Sequence, residues 1–153
     1  MKTLQLKKMG QITDANLTFG DLTVLVGPQA SGKSIILQWL KLLLDTGLIQ
    51  QQLDTYGLDY DGELPSFLDA YFGEGMRSMW QPGSEVLVDG KPIDMPKRIA
   101  RRQPGKKGSV FLIPAQRVLA MPEGWPKPFQ SYRPGDPYPV RAFSEQLRML
   151  MER

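Results

Sequence analysis

The chain has 153 residues, 41% hydrophobic and 23% charged, with a formal net charge of +3, which fits one globular domain with a modest core. It contains no cysteine and no histidine, which excludes disulfides, thiolate metal sites and imidazole general bases. Any chemistry must run on carboxylates, lysines, hydroxyls, backbone amides or a bound cation. The mildly basic balance is compatible with nucleic acid without indicating it. The lysine-bearing start, Met1 to Gly10, has no apolar stretch and is not a signal peptide. The most apolar run, Ile35 to Leu44, is too short to cross a bilayer and carries Gln38 and Lys41. A cytoplasmic protein with no membrane partner is expected.

In chain order, residues 3–9 and 12–19 read as two strands. In the second, Ala15, Leu17 and Phe19 alternate with Asn16 and Thr18, the period of a half-buried strand. Gly20-Asp21 is a turn. Leu22 to Val26 is a nearly continuous aliphatic run, suited to a strand covered on both faces of a parallel sheet. Gly27 opens a loop, and a helix is predicted from about Gly32 to Asp45, ended by Thr46-Gly47. Its polar residues Gln38, Lys41 and Asp45 line one narrow stripe, and the rest is Ile, Leu and Trp. Pro65, Phe67, Leu68, Tyr71 and Phe72 predict a short helix stopped by Gly73. Glu85–Val88, Asp89-Gly90 and Lys91–Ile93 read as a hairpin. Residues 97–107 are a basic segment interrupted by breakers. Ser109 to Ile113 is the second buried-strand candidate, ended by Pro114. Prolines 122, 126, 128, 134, 137 and 139 exclude long regular structure there. A last helix is predicted from Ser144 as N-cap, with Phe143 as its staple. Leu147, Leu150 and Met151 stay periodic with no stop signal before Arg153, so the sequence is expected to be a fragment that ends inside an element.

Gly27-Pro28-Gln29-Ala30-Ser31-Gly32-Lys33-Ser34 matches G-x-x-x-x-G-K-[ST] at every fixed position. The spacing lets successive backbone amides wrap one phosphate as an anion nest. Gly27 leaves the strand in a tight turn, and Gly32 allows close approach of the backbone. The following helix adds the positive end of its dipole. The expected ligand is ATP with Mg²⁺, held by Gly27 to Ser34 and Ile35. Lys33 is predicted to reach the β- and γ-phosphates, and the Ser34 hydroxyl to bind Mg²⁺. The bland alternative is a glycine-rich strand-to-helix turn, which needs no Lys-Ser at this offset.

The run from Leu4 to Ser34 resembles the N-terminus of RecF/SMC-like ABC-type ATPases. That group includes the overcoming-lysogenization-defect (OLD) proteins and related AAA proteins of DNA repair and phage defence. Gln29 stands where that family usually has Asn. Phe111-Leu112-Ile113-Pro114-Ala115-Gln116-Arg117 is similar to the strand and loop carrying the family's Q-loop, which implies that Gln116 contacts Mg²⁺ and the attacking water. The resemblance further implies a second ATPase head, with a homodimer in the full-length protein, and possible DNA binding. The family's signature, Walker B and switch-histidine motifs are missing, so the chain resembles a nucleotide-binding lobe that is inactive alone. The implied fold is α/β, a P-loop NTPase sheet of ABC-ATPase type with a small N-terminal antiparallel β-layer, in an incomplete domain. It divides into residues 1–26 (strands leading to the P-loop), 27–47 (P-loop and helix), 48–108 (an irregular insert with a hairpin and a basic loop), 109–117 (buried strand and candidate Q-loop) and 118–153 (Pro-rich loop and helix start).

Weaker features have bland readings beside the functional ones. Val86 to Asp89 imitates a Walker B strand, but three aliphatics are short and Asp-Gly is a common tight turn. Gln116 is also readable as a solvated residue after a strand. Lys97, Arg98, Arg101, Arg102, Lys106 and Lys107 form a positive run, either a solvated loop or a sequence-nonspecific contact for nucleic-acid phosphates. Nothing in the sequence selects Arg117 or Arg141 for a role. Trp39 reads as core, and Trp80 and Trp125 as core or interface. The rival function is a small nucleoside or nucleotide kinase with residues 97–107 as its lid. A third is a non-catalytic nucleotide site in an interaction module.

Overall fold

The computed structural model describes residues 1–105, 107–122 and 124–152. The two predicted N-terminal strands form as Thr3–Met9 (β1) and Ile12–Thr18 (β2), antiparallel, with Leu4 opposite Leu17 and Leu6 opposite Ala15. Alternation buries Leu4 and Leu6 and would next bury Lys8. A register shift there, with Lys8 at a positive φ of 49°, puts Met9 inside instead. The predicted hairpin forms as Trp80–Val88 (β3) and Lys91–Pro92 (β4), and β3 pairs with the free side of β1. Its turn residues Asp89 and Gly90 have φ of 49° and 74°, the left-handed pair that a two-residue hairpin loop demands. Asp89 Oδ1 accepts from the amides of Lys2 and Thr3 at 2.6 and 2.8 Å. It is a turn residue that ties down the start of β1, not a Walker B acid. The sheet order is β2-β1-β3-β4.

The helix after the loop outruns its predicted end. α1 spans Lys33–Thr55, with one non-helical residue, Asp45, at φ −120° and ψ 25°. Asp45 and its neighbours therefore mark a kink, not a terminus. Thr46 Oγ1 satisfies the Leu42 carbonyl at 2.6 Å, and beyond the kink Ile49 and Leu53 are fully buried. Gly47 is required by packing: a Cβ there would lie 2.5 Å from the Pro104 carbonyl oxygen. The polar stripe Gln38, Lys41, Asp45 lies inward, while Leu37 and Leu44 are exposed.

α2 (Leu64–Phe72) has Pro65 in its first turn and Gly73 at its end, as predicted. α3 (Met95–Ala100) takes up part of the basic segment, its start capped by the Asp94 carboxylate accepting from Lys97 N at 3.0 Å. Within residues 48–108 the predicted short helix and hairpin both form, and the end of α1 and α3 add regular structure beside them. α4 spans Tyr138–Met151 and starts well before Ser144, because Pro139 in its first turn has a φ already suited to a helix start. Ser144 sits inside α4 with its Oγ at 2.5 Å from the Lys127 carbonyl and 3.1 Å from that of Ala120. Phe143 meets the ring of Phe111, with centroids 5.9 Å apart. One buried cluster joins Leu4 and Leu6 of β1 to Trp39 of α1, Phe67 and Tyr71 of α2, and Tyr138 of α4. Tyr71 fixes α2 on α1 by donating to the Gln38 carbonyl at 2.8 Å.

The predicted core sheet is not formed. Residues 22–26 and 109–113 lie outside the sheet, and Leu22, Val24 and Val26 are 83%, 69% and 86% exposed. Phe111 and Ile113 are exposed as well. A central parallel strand needs a layer over each face, whereas residues 109–113 touch α1 and Phe143 while Phe111 and Ile113 stay exposed, and most of residues 22–26 is exposed. The observed fold is mixed α/β around a four-stranded antiparallel sheet. Among the described residues no helix is long and apolar enough to cross a membrane.

Candidate functional site

The loop between residues 27 and 32 turns through three positive φ values: Gly27 at 153°, Ala30 at 61° and Gly32 at 89°. Gly32 is the N-cap of α1 and no side chain caps that end, so the first-turn amides remain open to an acceptor. Gly32 also lies against β2, where a Cβ would come within 2.9 Å of Ile12 Cγ1. The motif's second glycine therefore has two physical reasons, its left-handed backbone and its contact with β2. Pro28 to Ser31 and Ser34 are exposed, and Ile35 is half-buried.

Lys33 does not extend from the loop. Its Nζ donates to the Gly27 carbonyl at 2.9 Å, to Ser31 Oγ at 3.0 Å and to the Pro28 carbonyl. The loop itself thus meets all three ammonium donors. The same contacts place the ammonium across the loop's mouth. Reaching a β- or γ-phosphate requires the side chain to swing away from three neutral acceptors, towards a charged one that makes stronger hydrogen bonds.

Gln116 follows a segment that is irregular, not a buried strand, and it is exposed at the start of a 3-10 turn, Arg117–Ala120. Among the described residues no hydrogen bond joins it to the loop. What holds its segment is a pair of residues that sequence reasoning passed over. Lys41 and Asp45 are 4% and 5% exposed and form an ion pair at 2.5 Å. Asp45 Oδ1 accepts from the Ser109 amide at 2.8 Å and from Ser109 Oγ at 2.5 Å. Its Oδ2 accepts from the Val110 amide at 3.1 Å, and Lys41 Nζ donates to the Val110 carbonyl at 2.6 Å. Burial pushes the Asp45 carboxyl up, but the bonds from Lys41 and Ser109 outweigh it and hold it below the ordinary range. A Lys–Asp pair four residues apart on an otherwise apolar helix was the available signal; a narrow polar stripe normally reads as solvated.

The basic run is largely engaged. Lys97 pairs with Asp94 at 3.1 Å. Arg98, half-buried and with its guanidinium pushed down by burial, donates to the Leu43 carbonyl at 2.8 Å and to Thr46 Oγ1 at 3.0 Å. Arg102 grips both Asp54 oxygens at 2.7 and 2.8 Å and stacks over the Tyr60 ring. Arg101 and Lys107 are exposed, without an ion pair among the described residues; Lys106 lies outside them. The segment is strapped to the far half of α1, since Gln50 bonds the Ile99 carbonyl at 2.9 Å and the Gln103 amide at 3.1 Å. Gln50 follows Lys33 by roughly 25 Å of helix, so this strap does not cover the loop of residues 27–32 as a kinase lid would. Arg117 is exposed, whereas Arg141 is buried and donates to the carbonyls of Pro134 and Asp136 at 3.0 and 3.1 Å. Trp39 is core and Trp125 is exposed.

Neither protein-family models, curated proteins nor solved structures give a match to this chain.

Proposed function

We propose that the chain binds the phosphates of ATP with Mg²⁺ through Gly27 to Ser34. The reading rests on one observation: the eight-residue motif occupies a solvent-open loop with left-handed turns at Ala30 and Gly32, running directly into the uncapped start of α1. Backbone amides and Lys33 would hold the phosphates, and the first turn of α1 through Ile35 would present its dipole to them. Ser34 would ligate Mg²⁺, with Gln116 as a second ligand if its segment is brought to the loop. Bound Mg²⁺ supplies charge neutralisation on the phosphates.

The resemblance extends this proposal to a nucleotide-binding lobe of a RecF/SMC/OLD-like ATPase acting in DNA repair, DNA maintenance or phage defence. In it, residues 22–26 and 109–113 would enter a core sheet and a second head would complete the site. The exposure of Leu22, Val24, Val26, Phe111 and Ile113 supports this extension, since these strand-forming residues are left uncovered. DNA contact would fall to Arg101 and Lys107, the exposed cations of the basic run that have no ion-pair partner among the described residues.

The test is thermal unfolding with and without ATP·Mg²⁺. At a hundredfold excess over the dissociation constant, binding should add about 2.7 kcal/mol of stability. Lys33→Ala should abolish that gain while leaving the nucleotide-free melting temperature within a degree or two, because Lys33 is partly exposed and bonded only within its loop. Equal stabilisation of both proteins would reject the site.

A further inference from the structure

We infer that Lys41 and Asp45 are positioning residues that carry nucleotide occupancy at the phosphate loop to the segment bearing Gln116. The inference rests on the nucleotide-binding reading, and it concerns what lies between the two places. α1 begins at Lys33 in the loop and reaches Lys41 and Asp45 about 12 and 18 Å further on. There the pair, itself joined at 2.5 Å, grips residues 109 and 110, six residues before Gln116, through four contacts of 2.5 to 3.1 Å. Both carboxylate oxygens of Asp45 have two donors, and the ammonium has a carboxylate and a carbonyl. Such a network fixes the register of residues 109–110 on the helix more tightly than apolar contact alone, since sliding by one residue would strip the buried pair of its backbone and hydroxyl partners.

The clamp also sits on the one joint in the helix. Asp45 is the non-helical residue of α1, so the residue that breaks the helix is the one that holds the segment. A cavity of about 380 Å³ lies beside it, lined by Asp45, Gly47, Arg98, Pro104, Lys107 and Ser109. That space gives the two halves of α1 room to pivot. A change in the first half of α1 on phosphate binding would therefore reach the Gln116 segment through Lys41 and Asp45, and through no other polar contact between α1 and residues 109–116 among the described residues.

The experiment is amide hydrogen exchange on the full chain, with a non-hydrolysable ATP analogue and Mg²⁺ as the probe, alongside the thermal shift it produces. In the unaltered protein the analogue should raise the melting temperature and change exchange over residues 109–116 about tenfold. In Asp45→Asn the thermal shift should persist and the change over 109–116 should vanish. Ser109→Ala removes a single hydroxyl bond from the clamp and guards against a misfolded Asp45 variant; it should keep the thermal shift and at least halve the exchange response. A thermal shift with no exchange response at 109–116 in the unaltered protein overturns the coupling and leaves the nucleotide site standing. A full response retained in Asp45→Asn and Ser109→Ala overturns it as well. Absence of any thermal shift in the unaltered protein overturns both readings.

Discussion

At Gly32 the backbone is left-handed and the space for a Cβ is already taken by Ile12. Gly32→Ala should therefore cost about 2 kcal/mol in urea unfolding, from αL strain and overpacking together. An unchanged midpoint would show that β2 gives way freely. Asp45 is a different case, because its contribution depends on charge. Removing one member of a buried pair typically costs about 3–5 kcal/mol, and the amides of Ser109 and Val110 would also lose their acceptor. Its carboxyl lies below the ordinary 3.8 in the folded chain. The stability it supplies is thus complete at neutral pH and is lost as pH falls from about 4 through the depressed folded value. Urea titrations from pH 7 to pH 3 should show a steeper acid decline for the unaltered chain than for Asp45→Asn, which is weaker throughout. Parallel declines would remove Asp45 as the titrating group.

At the scale of elements, the parts whose cause is local were legible. β1, β2, α2 and the β3–β4 hairpin follow from alternation, a proline in a first turn and an Asp-Gly pair, signals complete within a few residues. The departures share a different cause. α1 continues past Thr46-Gly47 because Gly47 serves the approach of Pro104, a contact 57 residues away in the chain, and α4 starts early because Pro139 fits a first turn. Of the candidate site, the glycine turns at 27 and 32 and the helix start after them were readable from the motif, while the inward placement of Lys41 and Asp45 depends on where residues 109–110 lie, which no local pattern encodes. The basic run divides by the same logic. Arg98→Gln should destabilise the fold by about 1–3 kcal/mol, since it leaves the Leu43 carbonyl and Thr46 without their donor. The pair Arg101→Gln and Lys107→Gln should leave the melting temperature unchanged and weaken any low-salt binding to duplex DNA, with a shallower salt slope. Matching melting temperatures for the two variants would contradict the strap seen on α1.

For the molecule as a whole, the antiparallel sheet and four helices share one buried core rich in aromatic residues, and Leu22, Val24, Val26, Phe111 and Ile113 stay exposed outside it. Leu22, Val24 and Val26 contribute little burial, so their combined replacement by Thr should leave unfolding free energy within about 0.5 kcal/mol. The same replacement should reduce binding of an apolar dye and lower self-association in sedimentation, because it removes the exposed patch. A large loss of stability would mean that these residues are covered in solution.

The borders of the sheet carry a consequence of their own. β4 is two residues long and ends in Pro92, which has no amide to offer a newcomer. β2 carries Asp14, exposed, on its outer run, and a charged, polar border strand discourages recruitment. The rim of the sheet is thus defended, while the exposed aliphatic stretch just ahead of the loop of residues 27–32 is not. Any polypeptide that joins this molecule strand to strand should come in beside residues 22–26, next to where the nucleotide would sit, so that assembly and ligand would each feel the other's presence.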